Sequence, residues 1–351
     1  MAQKVYIILV NWNGWQDTIE CLESICHLDY PNYAVVVCDN ASSDNSIEQI
    51  QLWAQGRISA TSLNPNLTRL MQPATSKPIF VAEQSASKKY VDSANAGAPL
   101  VLIQTGSNLG FAGGNNAGLR YALAQGDCEF AWLLNSDTVV APEALSRLVE
   151  RMSERPEAGI CGSTLADYWD ENRVQACGGA SYNRWFAKGT ALGAGVQLDD
   201  LPDPKTIERL LSYVIGASML VRRSFLQQIG FLNEEYFLYF EEIDWATRAS
   251  GKFSLAYSAA SVVYHKEGRS IGSSLERSRR SLLSEHYTAR NRLLFTRRYY
   301  PSLFPFVAGI VALTGLHRLL TGSVAAAKVI LNTLVDVVKE RDARPEGRSF
   351  N

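Results

Sequence analysis

Four strand-length apolar segments, each followed by a segment with helical signals, constrain this chain more than any other feature. Val5–Val10 is apolar throughout, as expected of a strand buried on both faces. Ile19, Leu22 and Ile25 then recur at helical spacing. Ala34–Cys38 reads as a second strand, and Ser46 with Gln49 makes a capping-box pattern opening a helix toward Trp53. A strand at Leu100–Gln104 and a helix over Asn115–Leu123 come next. The last pair is a strand at Phe130–Leu134 and a helix that Pro142 opens and that runs to Met152. The order β-α-β-α-β-α-β-α predicts an α/β fold with a Rossmann-like, doubly wound, mostly parallel sheet.

Between Gly56 and Pro99 the rhythm breaks into an irregular insertion (about 57–99) rich in Pro, Ser and Ala, with a short strand at Ile79–Ala82. From Gly159 to Gly272 strands, Gly-Gly turns and one short acidic helix alternate, and from Ser273 the chain reads as helical. This predicts one domain over 1–272 that changes character at about 160, and a helical region over 273–351. A chain of 351 residues can bury full cores in both. A formal net charge of −1 speaks against generic nucleic-acid binding.

The six cysteines (Cys21, Cys26, Cys38, Cys128, Cys161, Cys177) form no C-x-x-C pair. That pattern suits a reducing, cytoplasmic setting without disulfides or structural zinc. Val5–Val10 is of strand length and too short for a secretory signal. The best apolar helical run, Leu303–Leu316, has 14 residues and contains Pro305, Gly309 and Gly315, so a buried or interfacial helix is expected rather than a membrane span.

In open α/β sheets ligands bind beyond the carboxyl ends of the strands. Asp39 ends the second strand and can accept from a base or a ribose hydroxyl; a turn packed with Asx and Ser caps is the alternative. Asp44 is assigned to such a turn. In Asn108–Gly118, Gly110, Gly113 and Gly114 permit close backbone approach, and Asn115 and Asn116 sit near a helix N-terminus that would suit phosphate or ribose. The spacing is neither G-x-G-x-x-G nor a P-loop. Asn135-Ser136-Asp137 follows the fourth strand, where a carboxylate either holds a metal or turns the chain.

Further on, an aromatic stretch through Phe237, Tyr239 and Phe240 leads into Glu241, Glu242 and Asp244. Acids in a first helical turn suit the macrodipole, and Asp244 with Arg248 makes an i,i+4 pair. Glu241 and Glu242 behind aromatic rings should be partly desolvated, which raises a carboxyl pKa and makes a better general base. His265 follows an apolar strand and is either a metal ligand or a packed residue. Arg269 and Ser270 are candidates for diphosphate oxygens.

In their order, NWNG, CDNASSD, NLGFAGGNNAG, LLNSDT, GFLNEEYFLYFEEIDWATR and YHKEGRS resemble the inverting glycosyltransferases of family 2, which have the GT-A fold. The resemblance covers roughly Val5–Asp170 and Gly216–Gly272 and is greatest to rhamnosyltransferase-type bacterial members. It implies that Asn11, Trp12 and Asn13 lie against the nucleotide base, that Asp39 reads base or ribose, and that Gly113, Gly114 and Asn115 flank the nucleotide. It aligns Asn135-Ser136-Asp137 with the family's D-x-D metal motif, Asp137 being its last carboxylate, and His265 with a second metal or diphosphate contact. Glu241-Glu242 aligns with the Glu-Asp pair whose second member is the catalytic base. Asn135 replaces an Asp and Glu242 replaces an Asp, which leaves Glu241, Glu242 and Asp244 as candidates for the base.

The implied function is transfer of a sugar, a deoxyhexose such as rhamnose, from dTDP or UDP with Mg²⁺ or Mn²⁺ to a hydroxyl of a cell-envelope glycan or lipid-linked acceptor. A nucleotide-sugar-binding protein without catalysis and a sugar nucleotidyltransferase are the alternatives. Arg277–Arg298 holds seven arginines and one acid, Glu285, and is followed by apolar helical stretches. That order suits a protein peripheral on the inner face of an anionic membrane; a packed helical cap and an oligomer interface fit the same pattern. Sugar and acceptor recognition is expected to rest on the insertion at 57–99 and on residues 165–215, where no motif is readable.

Overall fold

A computed structural model describes residues 2–85, 99–266 and 281–342. The chain divides into two compact units. The first comprises Met1–Ser181, Thr190–Phe237 and Glu241–Ser270, and the second Tyr182–Gly189, Leu238–Phe240 and Ile271–Asn351.

The strands in chain order are β1 (Val5–Asn11), β2 (Tyr33–Asp39), β3 (Val81–Ser85), β4 (Leu100–Gln104), β5 (Phe130–Asn135), β6 (Thr138–Val140), β7 (Ala158–Asp167), β8 (Val174–Cys177), β9 (Gly179–Asn183), β10 (Lys188–Ala191), β11 (Tyr213–Val214), β12 (Ser218–Arg222) and β13 (Ser254–His265). Among the described residues, ten form one sheet in the first unit, in the order β3-β4-β2-β1-β5-β12-β7-β13-β6, with β8 paired to β7. β3, β4, β2, β1 and β5 run parallel. β12 lies antiparallel between β5 and β7, and β6 runs antiparallel to β13. The sheet is therefore mixed and mostly parallel.

The first unit's helices are α1 (Trp15–Ile25), α2 (Ser46–Ala54), α3 (Gly110–Ala124), α4 (Ala144–Glu154), α5 (Pro204–Leu210), α6 (Arg223–Ile229) and α7 (Glu241–Ala249). Period-two alternation sorts the sheet's side chains into two cores. Val5, Ile7 and Leu9 join Ile19 and Leu22 of α1, Trp53 of α2 and Leu148 of α4. Tyr6 and Ile8 join Leu119 of α3, Phe225 of α6 and Trp245 of α7. Burial on both faces explains why β1 is apolar at successive positions. Each such side chain contributes about 1.5–3 kcal/mol relative to exposure.

Two local expectations are corrected. α2 has no capping box: its N-cap is Asn45 in the left-handed region at φ 62°, and Asp44 accepts from the Ser46 backbone N–H at 3.1 Å. The Asx turn supersedes the box because Asp44 reaches that N–H first. α3 starts at Gly110 and not near Asn115, so the glycine stretch is helix rather than loop. A Cβ on Gly114 would meet Val10 at 2.8 Å, and one on Gly118 would meet Ile8 at 2.5 Å. These glycines let α3 lie close on β1.

The second unit contains α8 (Leu282–Tyr299), α9 (Phe304–Leu320) and α10 (Val324–Asp342). Leu293, Phe295, Val307, Val311 and Ile330 are buried, and Arg318 pairs with the buried Glu285. Asn291 donates to the carbonyls of Leu238 and Tyr239 at 2.8 and 3.0 Å. The helical stretch Pro301–Leu320 has 20 residues, a mean hydropathy of 1.7 and only 28% of its most apolar window buried. By length and composition alone it is long enough to cross a membrane, and it extends the apolar run Leu303–Leu316 at both ends. The added residues come from Pro301, accommodated in a first turn, and from a C-terminus carried past Leu316 by His317 and Arg318.

Candidate active site

Parallel registry places the polar strand ends side by side. Asn11 pairs with Asp39, and Val10 pairs with Asn135. At about 4.8 Å per strand, Asp39 and Asn135 flank β1 about 10 Å apart, wide enough for a nucleotide to lie across. Asp39 is locked in place: Oδ1 accepts from Asn11 Nδ2 at 2.7 Å and Ser42 Oγ at 2.6 Å, and Oδ2 accepts from the Ser42 N–H at 3.0 Å. Its Oδ2 retains acceptor capacity for a ribose or base. Asn11 is turned inward, and Thr18 Oγ1 donates to its Oδ1 at 2.8 Å. It therefore supports Asp39 instead of facing a base. Trp12 is partly exposed and Asn13 exposed; Asn13 sits at φ 52° and its Oδ1 accepts from the Ser43 N–H at 2.7 Å.

The expected ligand loop at Gly113, Gly114 and Asn115 is replaced by buried helix. Asn115 is 1% exposed and its amide returns to the Phe111 carbonyl at 2.9 Å. Asn116 is spent on the Leu232 carbonyl and Glu234, both at 2.9 Å. At the helix start, the Phe237 carbonyl accepts from the Phe111 and Ala112 N–H groups at 2.8 and 3.4 Å. Those orphan donors of a helix N-terminus are thus already partnered.

Asp137 and His265 meet at the end of β5 and β13. His265 Nε2 lies 3.4 Å from Asp137 Oδ1 and 3.4 Å from Asn135 Nδ2. On its other side Nδ1 faces Gln175 Oε1 at 3.1 Å, while Gln175 Nε2 donates to the His265 carbonyl at 2.9 Å. A glutamine carbonyl can only accept, so this contact puts a proton on Nδ1 and leaves Nε2 as the nitrogen that faces Asp137. Burial would raise the Asp137 carboxyl, yet His265 and Lys266 outweigh it and hold it below its ordinary value. Ser136 Oγ donates to the Val10 carbonyl at 3.0 Å.

Lys266 follows, buried between Asp17 and Glu20 of α1, with both of which it pairs. Desolvation would lower its pKa, but the two carboxylates raise it, so it stays charged. Its backbone N–H donates to the Asp137 carbonyl at 3.0 Å. Gln175 and Glu20 carry no motif, and Lys266 lies inside the YHKEGRS segment without a role readable there. An isolated Lys beside a His, opposite two acids one helical turn apart, is the signal that was present. Arg269 and Ser270 lie outside the described residues.

Glu242 lies in the first turn of α7 and is joined to this edge through the backbone. The Gly216 N–H donates to its Oε1 at 3.2 Å, and the Asn135 N–H donates to the carbonyl of Ala217 at 3.0 Å. Burial raises the Glu242 carboxyl above its ordinary value, and the N–H groups of Glu242 and Gly216 offset only part of that. Asp244 is corrected as a base candidate. Its Oδ2 accepts from Arg248 at 2.8 Å and its Oδ1 from Tyr236 at 3.3 Å, so it is fully buried and already paired. Glu241 is also buried. The chain reaches α7 through Phe237, Tyr239 and Phe240, all at positive φ (60°, 68° and 75°). Bulky side chains there cost about 1–3 kcal/mol each.

Among the described residues no group of three or more His, Cys, Asp or Glu could hold a metal. The donor chemistry nevertheless fits Mg²⁺ or Mn²⁺. Asp137 would supply one carboxylate and His265 Nε2, once free of a proton, one imidazole donor, and such ions take their remaining oxygens from substrate phosphates and water.

An open α/β sheet with acids at its carboxyl edge and a desolvated glutamate beside them defines a GT-A-type glycosyltransferase. The family described as glycosyl transferase family 2 matches residues 6–70 and 79–230, and the chain belongs to it. It is 29% identical over 147 residues to a low-salt glycan biosynthesis hexosyltransferase, Agl10, of Haloferax volcanii; the match covers 42% of this chain and only 45% of that protein. It is 27% identical over 229 residues to an N-acetylglucosaminyl-diphospho-decaprenol L-rhamnosyltransferase of Mycobacterium tuberculosis, covering 58% of this chain and 73% of that one. A mannosyltransferase from Pyrobaculum calidifontis, solved with GDP-Man and Mn²⁺, shares the fold at a TM-score of 0.52 and 13% identity, covering 97% and 88% of the two chains.

Proposed function

We propose that this enzyme moves a sugar from a nucleoside diphosphate to a hydroxyl of a cell-envelope or lipid-linked glycan, with inversion at the anomeric carbon. The observation that carries the reading is Glu242. It is a desolvated carboxylate tied through Gly216 and Ala217 to the Asn135–Asp137 turn. Asp39 would hold the ribose or base, with Trp12 and Asn13 beside it. Asp137 and His265 would hold Mg²⁺ or Mn²⁺, which when bound neutralises charge building on the leaving diphosphate. Glu242 takes the proton of the acceptor hydroxyl, and that oxygen bonds the anomeric carbon. The bond to the diphosphate breaks with its electron pair leaving on the diphosphate oxygen. A single displacement inverts the centre.

A deoxyhexose such as rhamnose as donor sugar and dTDP or UDP as carrier are supported by the motif order and by the mycobacterial relative's name. A membrane-borne acceptor is supported by the second unit, where Phe306, Leu313, Leu316 and Leu320 of α9 are exposed. A helix of that apolarity suits the inner membrane face. Calorimetric titration with UDP and dTDP, each with Mn²⁺ and again with EDTA, tests the donor half. One nucleotide should bind with at least about tenfold higher affinity when metal is present, and Asp137→Ala should abolish that gain. Equal binding with EDTA would contradict the metal role, and no binding of either would contradict the donor class.

A further inference from the structure

We propose that an open cavity of the first unit is a binding subsite for a pyranose ring, built around Trp169. The cavity is open to solvent, offers about 700 Å³ and is lined by Asn66, Arg69, Trp169, Asp170, Asn172 and Tyr264 among others, a volume in the range of small-ligand sites. The irregular insertion contributes Asn66 and Arg69, and the motif-free stretch after β7 contributes Trp169 to Asn172. Tyr264 precedes His265 in β13, and successive strand residues face opposite sides. The cavity is therefore next to the metal-facing pair but separate from it.

The lining matches the two faces of a sugar. A pyranose presents an apolar C–H face and a rim of hydroxyls that both donate and accept. Trp169 is a large rigid plate, 50% exposed, and planar Asn, Asp and Arg groups stand around it as donors and acceptors. A protein partner would call for a broad contiguous apolar patch; here the apolar lining is the Trp169 indole with Leu198 and Tyr264, set among polar groups.

The plate is also braced. The Trp169 and Asp170 N–H groups both donate to Asp167 Oδ1, at 2.8 and 3.0 Å. The indole meets Tyr168 edge-on, with centroids 4.9 Å apart at 78°. The Tyr168 hydroxyl donates to Glu20 at 2.6 Å and accepts from the N–H groups of Leu63 and Asn64 at 2.9 and 3.0 Å. Arg69 is held by Glu171 at 2.9 Å. Binding would then cost little ordering of the site.

The proposal rests on the glycosyltransferase assignment for its ligand class alone, and its test omits nucleotide and metal, so a failed donor reading leaves it readable. Full-length protein is labelled with 5-fluorotryptophan, and the Trp169 resonance is assigned with Trp169→Phe. It is then titrated with methyl α-L-rhamnoside, methyl β-N-acetylglucosaminide and methyl α-mannoside. At least one glycoside should shift the Trp169 signal saturably. Asn172→Ala, at an exposed position, should weaken that binding about tenfold with unchanged melting temperature and nucleotide affinity. The proposal is overturned if no glycoside moves the signal, or if Asn172→Ala binds as wild type does. It is likewise overturned if only a nucleotide sugar moves it, because the cavity then belongs to the donor site.

Discussion

The two halves of the candidate site treat their carboxylates in opposite ways. Asp39 sits in a cage of donors from Asn11 and Ser42, and that cage is itself held by Thr18. Glu242 accepts from the Gly216 N–H at 3.2 Å and from its own N–H, which do not offset burial, and its pKa is raised. A satisfied carboxylate is stable and stays where it is, which suits recognition. A desolvated one gains from taking a proton, which suits a general base. The strained aromatic approach to α7 belongs to the second half only. Rigidity and reactivity are thus built at opposite ends of one sheet edge.

The contrast can be broken most heavily at Lys266. Lys266→Met would leave Asp17 and Glu20 facing each other without a counter-charge, at a cost of about 3–5 kcal/mol, measured by urea denaturation. A loss below about 1 kcal/mol would mean the pair behaves as a surface one. Gln175→Leu should come next. It removes the acceptor that fixes the His265 tautomer, and Mn²⁺ affinity measured by electron paramagnetic resonance should fall about 10–100-fold with the fold intact. Gly118→Ala pushes a methyl against Ile8 and Cys38 and should cost about 1–3 kcal/mol without changing pH dependence.

The smallest effect sharpens the Glu242 side. Its folded-state pKa is raised, so folding binds a proton more tightly than the unfolded chain does. Stability from this group is fully present below the ordinary glutamate value of 4.5 and is lost as pH rises through the folded value. Glu242→Gln should therefore melt slightly higher than wild type at neutral pH, and the gap should close near pH 4. A gap that persists in acid would assign it to packing and not to charge.

Much of the fold was legible because burial on two faces writes itself into β1, β2, β4 and β5 as unbroken apolar runs. Asp39, Asp137, Glu242 and His265 were legible because each follows a strand or opens a helix. Non-local pairing was not. Asn11 looked ligand-facing until β1–β2 registry put it against Asp39, and the 110–118 glycines read as loop because close helix–sheet packing and a turn use the same residue. Asp244 reads as a base candidate from its place beside Glu241 and Glu242, and its partners Arg248, at i,i+4, and Tyr236 occupy both of its oxygens. Gln175 and Lys266 gain meaning from partners 90 and 246 residues away, a separation no local pattern records.

The most direct test of the central claim is the turnover of Glu242→Gln beside its nucleotide affinity. The kcat should fall about 10²–10⁴-fold, the usual share of a general base, with Kd for the nucleotide and its metal dependence unchanged. Turnover within a few-fold of wild type would contradict it, and the proton would then have to leave to another group.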